Sequence, residues 1–136
     1  NIRLPEIDFL KIYNKYGIKL VKYESVKGNT QGYANTEEKT IAINPLAEHP
    51  EKTILHEVAH IALEHGSKRK DTIKELKEVE AESVAYIVGS IIKLDEKTLS
   101  SARAYIQNWL GEHELPEKNV KKILTVANDI IKAGVK

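Results

Sequence analysis

The sequence contains no cysteine and no methionine. Without thiols there can be no disulfide, and any bound metal has to be held by histidine, aspartate or glutamate. No apolar run approaches the roughly 18 residues needed to cross a bilayer, and no leader peptide opens the chain. A cytoplasmic protein without a membrane partner is therefore the expectation. An excess of either charge is also missing, because Lys+Arg 21 against Asp+Glu 20 leaves a formal net charge of +1. That balance argues against a nucleic-acid binder working by bulk positive charge, and equally against an acidic mimic of DNA. Lys68-Arg69-Lys70 reads as a solvated basic loop. With no starting methionine, Asn1 reads as a processing boundary and the chain as the C-terminal part of a longer protein. Internal repeats and low-complexity linkers are absent too. The 136 residues, 41% of them hydrophobic, suit one domain over 1–136 with a core of its own.

What is present is a short β-rich beginning and a long helical remainder. Residues 5–16 carry Ile7, Leu10 and Ile12 near helical spacing and stop before Gly17. Residues 18–25 alternate as a strand, and Gly28-Asn29-Thr30 marks a turn. A hairpin follows, with strands over 32–34 and 39–43 around a polar turn, and Pro45 ends it. Pro50 opens a helix to about Glu64 closed by Gly66, and Asp71 or Thr72 caps a longer one reaching Ile92. Asp95 caps a third, ending near Leu110. Pro116 opens the last, whose apolar side carries Val120, Ile123, Leu124, Ala127, Ile130 and Ile131. The pattern predicts an α+β fold: a small antiparallel sheet of about three strands followed by a helical bundle.

The chemistry sits in ILHEVAHIALEHG, residues 54–66. Four residues apart on a helix, His56 and His60 point the same way, and their neutral imidazoles suit zinc at about 2.0–2.1 Å. Glu57 borders that face, where it can take a proton from a metal-activated water. The surrounding Ile54, Leu55, Val58, Ala59, Ile61, Ala62 and Leu63 make this a buried helix, on which a His-Glu-His set is costly without a purpose. Zinc needs a third protein ligand. His65, five residues beyond His60, rotates away from the shared face and reads as a helix-end residue favoured by the dipole; His49 and His113 are isolated. The next helix, KELKEVEAESVAYIVGSII, is the better source. Glu78 and Glu82 share one of its faces, continued by the small Ala81 and Ala85 that permit a close helix approach. Glu78 could reach the zinc, and Glu82 could accept the hydrogen bond from a ligand histidine's other nitrogen. Glu80 points the other way, towards solvent or a lysine.

HEVAH, followed about 18 residues later by ExxAExxAY, resembles the zincin-like metallopeptidase domains of the ImmA/IrrE and ArdC type. TIAINP is similar to the strand those domains place before HExxH, SARAYIQNWL resembles a segment of ArdC-like domains, and NVKKILTVANDIIKAG is similar to their last helix. The resemblance covers roughly residues 20–134. It departs at Glu80, where ArdC-like domains often carry an apolar residue. The resemblance implies a gluzincin-like fold with HExxH on the central helix, zinc on His56, His60 and Glu78, Glu57 as general base, and Glu82 behind a ligand histidine. It further implies a zinc-dependent metalloendopeptidase acting on a protein or peptide substrate. The strand around residues 40–44 would bind the peptide edge to edge. Tyr86 and Tyr105 are possible oxyanion donors, although core packing is the expected role of each, as it is for Trp109. The alternative implied is a metal-binding antirestriction module of a mobile element that interacts with protein or DNA without cleaving peptides. ArdC proteins carry an N-terminal single-stranded-DNA-binding domain that this chain lacks.

Overall fold

Asp8 accepts the N–H of Leu10 at 3.0 Å and so caps helix α1 (Phe9–Tyr16); Gly17, in the left-handed region at φ 68°, ends it. The computed structural model describes residues 7–24, 31–66 and 73–135. Within them follow strands β1 (Lys19–Leu20), β2 (Gly32–Asn35) and β3 (Thr40–Ile43), then helices α2 (Pro50–Ala62), α3 (Lys74–Ile91), α4 (Glu96–Leu110) and α5 (Glu117–Gly134). The expected α+β organisation with a small sheet and a larger helical part is present. The basic run Lys68-Arg69-Lys70, the Asp71/Thr72 cap and the Gly28-Asn29-Thr30 turn lie outside the described residues.

The sheet is mixed rather than antiparallel, with order β1-β3-β2. The β2–β3 hairpin forms as the sequence suggests, with Asn35 Oδ1 accepting the N–H groups of Glu37 and Glu38 in the turn. That hairpin takes one edge of β3, so β1 pairs on the other edge, where a strand two steps earlier in the chain runs the same way as β3. The expected strand over 18–25 shrinks to two paired residues, because only the N–H groups of Lys19 and Val21 reach β3, on Lys39 and Ile41 carbonyls, each at 2.9 Å. As the middle strand, β3 cannot take a peptide along its edge. The edge left unpaired among the described residues on the α2 side belongs to β2.

Helix α2 packs between this sheet and α3, and α3 in turn contacts α4 and α5. One cluster of buried side chains joins Ile12, Ile41, Leu55, Val58, Val84 and Ile130 across these elements. Gly32 lets β2 come close to α2, since a Cβ there would stand 2.9 Å from Thr53 Cγ2. Helix α5 buries Ile123, Ala127 and Ile130 as expected, but its inward face is rotated past two of the residues read as apolar-side. Val120 and Leu124 are exposed, and Asn119, Ile123, Val126, Ala127 and Ile130 are buried. Its far end meets the start of α1, where Asp8 donates to the Gly134 carbonyl at 2.7 Å.

Two helices end in the same left-handed turn without the glycine that usually supplies it. After α2, Glu64 takes φ 59°, its N–H reaching the Ile61 carbonyl and that of His65 the His60 carbonyl, each at 3.0 Å. After α3, Lys93 takes φ 64°, with the matching bonds Lys93 to Ser90 and Leu94 to Gly89. The side chain of Lys93 is exposed. Lys93→Gly is therefore expected to raise stability by about 0.5–1 kcal/mol, read as a higher midpoint of urea unfolding at unchanged slope.

Candidate metal centre

Helix α2 turns one face of its last two turns towards α3, and that face carries His56 and His60, with side chains 20% and 14% exposed. Across from them on α3 stands Glu78. Ala59 on α2 and Ala81 and Ala85 on α3 are all buried in the shared core, small residues that allow two helices to approach closely. The His56 Nε2 and His60 Nε2 atoms are 3.1 Å apart, and Glu78 Oε2 lies 2.9 Å from the first and 3.3 Å from the second. Tetrahedral zinc with ligands at 2.0–2.1 Å separates neighbouring ligand atoms by about 3.3 Å. The three side chains can thus offer one ligand atom each to a single ion.

The hydrogen bonds behind these atoms say which face of each ring is bare. His56 Nδ1 lies 2.9 Å from Glu82 Oε1, and a carboxylate only accepts, so Nδ1 carries the proton. Glu82 is held in turn by Lys52, whose Nζ is 3.3 Å from Oε2 and 3.3 Å from Ser101 Oγ. On the other ligand, His60 Nδ1 lies 2.8 Å from His65 Nδ1, and His65 Nε2 lies 2.7 Å from Glu80 Oε1. The Glu80 carboxylate accepts from His65 Nε2–H, which makes His65 Nδ1 the acceptor and His60 Nδ1 the donor. With neutral rings, both Nε2 lone pairs therefore face Glu78 Oε2, giving three acceptors with no donor between them. Such a set calls for a cation.

A proton is the other cation that fits. Burial alone would lower the pKa of His56, but hydrogen bonds to Glu78 and Glu82 and the charges of Glu57 and Glu82 outweigh it and lift it to about 10. Glu78 is held well below the ordinary carboxylate range, chiefly by its hydrogen bonds to His56 and His60. Glu82 is lowered too: burial would raise it, and His56 and Lys52 overcome that. A sign follows for the protein treated with a chelator. Unfolded imidazole titrates near 6.5, so from there to about 10 the folded state binds more protons at His56 than the unfolded state does. Stability of the chelated protein is expected to be greatest from this source below about 6.5 and to fall as pH rises towards about 10. Saturating zinc removes that slope, which urea titrations at several pH values would read.

Glu57 lies beside this triangle without joining it. It is 8% exposed and has no hydrogen-bond partner among the described residues. Burial pushes its pKa up, with His56 and His60 pulling the other way and Glu78 and Glu82 adding to the rise. Together with His56 and Glu82 it lines a cleft of about 370 Å³ whose other wall includes Gln31 and Gly32, at the start of β2. Tyr105 is not a core residue: it is 42% exposed, and partial burial with the charges of Glu78, Glu82 and Glu75 raises its pKa, so its phenol stays protonated. The Tyr86 hydroxyl instead lies 3.5 Å from Arg103 Nη1. Trp109 is only half-buried and stacks on His113 with ring centroids 4.6 Å apart.

Two sequence expectations are overturned. Glu80 is neither solvated nor paired with a lysine in the bonds described: it is fully buried at 0% exposure, bonded to His65 and to Asn119 Nδ2 at 2.5 Å. His65 does follow the end of α2, but it does not point away from the histidine face: its side chain is 2% exposed and its Nδ1 lies 2.8 Å from that of His60. The left-handed Glu64 reverses the chain just after α2, and this brings His65 back beside His60. Neither bond could be read from helical spacing, which assumes that the helix continues. His49 bonds Thr98 Oγ1 through Nδ1 at 3.0 Å, and His113 bonds the Trp109 carbonyl. No helix among the described residues is long and apolar enough to cross a membrane. No family model matches the chain, and no match emerges among curated proteins or solved structures.

Proposed function

We propose that this chain is a zinc-dependent metallopeptidase domain of the zincin-like kind, hydrolysing peptide bonds with Glu57 as its general base. The observation that carries the reading is the meeting of three acceptor atoms, from His56, His60 and Glu78, next to a buried carboxylate, Glu57, that no hydrogen bond among the described residues uses. A zinc ion held there supplies Lewis acidity for the scissile carbonyl and brings a water's pKa down towards about 7. Glu57 takes the proton of the attacking water and passes it to the departing amine, a task for which a raised carboxyl pKa is suited. Glu82 and Lys52 keep the His56 ring turned with Nε2 towards the site. Of the two tyrosines, Tyr105 is the better candidate to donate to a developing oxyanion, because its hydroxyl feels the charges of Glu78 and Glu82 whereas that of Tyr86 meets Arg103.

The substrate strand adds to the outer edge of β2. Gln31 and Asn44 are bonded across the hairpin, at 2.9 Å from Asn44 N–H to the Gln31 carbonyl. By the alternation of an antiparallel ladder, the N–H and C=O groups of Gly32 and Ala34 point away from β3. Among the described residues they have no strand partner, and an extended peptide running past Glu57 could pair with them. The test is elemental analysis of the purified protein followed by incubation with a peptide library, with products read by mass spectrometry. One zinc per chain and cleavage that stops on chelation and returns with zinc are expected. Absence of stoichiometric metal would sink the proposal.

A further inference from the structure

Resting on the metal centre just proposed, the inference concerns a residue that no part of the HExxH pattern requires. We propose that His65 is a positioning residue of that centre. By accepting the Nδ1 proton of His60 and giving its own Nε2 proton to Glu80, it holds His60 in the one tautomer whose Nε2 can take a metal.

The geometry forms a single directed chain. His60 Nδ1–H donates to His65 Nδ1 at 2.8 Å, and His65 Nε2–H donates to Glu80 Oε1 at 2.7 Å. The far end is fixed by Asn119, on the first turn of α5, whose Nδ2 donates to Glu80 Oε2 at 2.5 Å. Every proton in the chain points away from the metal face, so the lone pair of His60 Nε2 is left facing it. Reversing any one link would place a proton on that nitrogen. The rings of His60 and His65 also meet edge-on, with centroids 5.0 Å apart at 64°, which restricts rotation of the ligand. Most of the chain is buried: the His65 and Glu80 side chains are 2% and 0% exposed, and Asn119 is 4% exposed. Water cannot readily substitute for a lost partner there. His56 has its own support in Glu82 and Lys52, so each ligand histidine is oriented by a different element pair. Glu82 keeps 12% of its side chain exposed at the cleft, whereas the His65 support runs through the core to α5.

The experiment compares His65→Asn with His65→Gln in the full chain. An asparagine amide oxygen falls where Nδ1 stood and can still accept from His60; a glutamine amide falls nearer the Nε2 position and leaves His60 Nδ1 without an acceptor. Zinc affinity is measured by competition with a chromophoric chelator, and the unfolding midpoint of each chelated protein is measured alongside. His65→Gln is expected to bind zinc about 10–100-fold more weakly than wild type, with His65→Asn within about threefold of it. Equal weakening of the two variants would mean that His65 acts only through packing and would overturn the proposal. Wild-type affinity in both would overturn it as well, while leaving the metal centre standing. If the wild type itself bound no zinc, the functional reading and this inference would fall together. A His56→Ala control separates that case, since it abolishes binding only if the centre exists.

Discussion

Glu57→Gln is expected to lower peptide hydrolysis by about 10²–10⁴-fold while leaving zinc bound and the fold intact. Glutamine keeps the shape of the side chain, and the three converging ligand atoms belong to His56, His60 and Glu78, so the metal set is untouched. What is lost is the capacity to accept a proton. Glu57 is buried against the cleft with a pKa raised first by burial, and no hydrogen bond among the described residues employs it in the fold. A buried carboxyl without a hydrogen-bond partner among the described residues costs stability, which the proton transfer proposed for it would account for. The loss should fall on kcat, because Glu57 handles protons in the transition state and its removal does not weaken substrate binding. Metal content by elemental analysis and rates on a cleaved library peptide decide the matter. A variant with bound zinc and undiminished activity would remove Glu57 from the mechanism. The domain would then be better regarded as a metal-binding interaction module.

The parts of the molecule that obey one helical or strand period were legible in the sequence. His56 and His60 share a face because they are four apart on an uninterrupted helix, and Glu78 and Glu82 meet them because α3 continues through its own register without a break. The hairpin could be read from its polar turn, and the Asp95 cap from its position before α4. What the sequence did not reveal depends on how elements turn back on one another. The parallel pairing of β1 with β3 follows from which edge the hairpin leaves open, and no local residue encodes it. The reversal after α2 rests on Glu64 in a conformation usually left to glycine, so the sequence pointed to Gly66 as the terminator and placed His65 on the wrong side. The burial of Glu80 depends on Asn119, 39 residues further along, and only the packing of α5 on α3 brings the two together. A fully buried glutamate on a helix that otherwise turns alanine and valine inward did leave one trace, its break in that apolar pattern.

Glu78→Ala and Glu80→Ala, two residues apart on one helix, are expected to fail in opposite ways. The Glu78 side chain is 36% exposed, and its bonds run only to His56 and His60. Its removal takes one of three ligand atoms from the ion, so zinc affinity should fall by more than the about 10–100-fold that losing an outer hydrogen-bond partner brings. The chelated protein should unfold near the wild-type midpoint. Glu80 has no exposed surface, and its oxygens serve His65 on one side and Asn119 on the other. Truncating it strands the His65 Nε2–H and the Asn119 amide in a site closed off from solvent. Breaking a buried pair in this way costs about 3 kcal/mol, a large share of the roughly 5–15 kcal/mol that holds a domain together. Thermal unfolding should therefore drop by roughly 10 °C, with or without zinc. Measured together, zinc affinity and unfolding midpoint separate ligand from support. A Glu80→Ala protein that kept its stability but lost its zinc, beside a Glu78→Ala protein that kept both, would move the third ligand to Glu80. The chain of hydrogen bonds from His60 to α5 would then have to be abandoned, because Glu80 would have to leave the buried position in which its two oxygens serve His65 and Asn119.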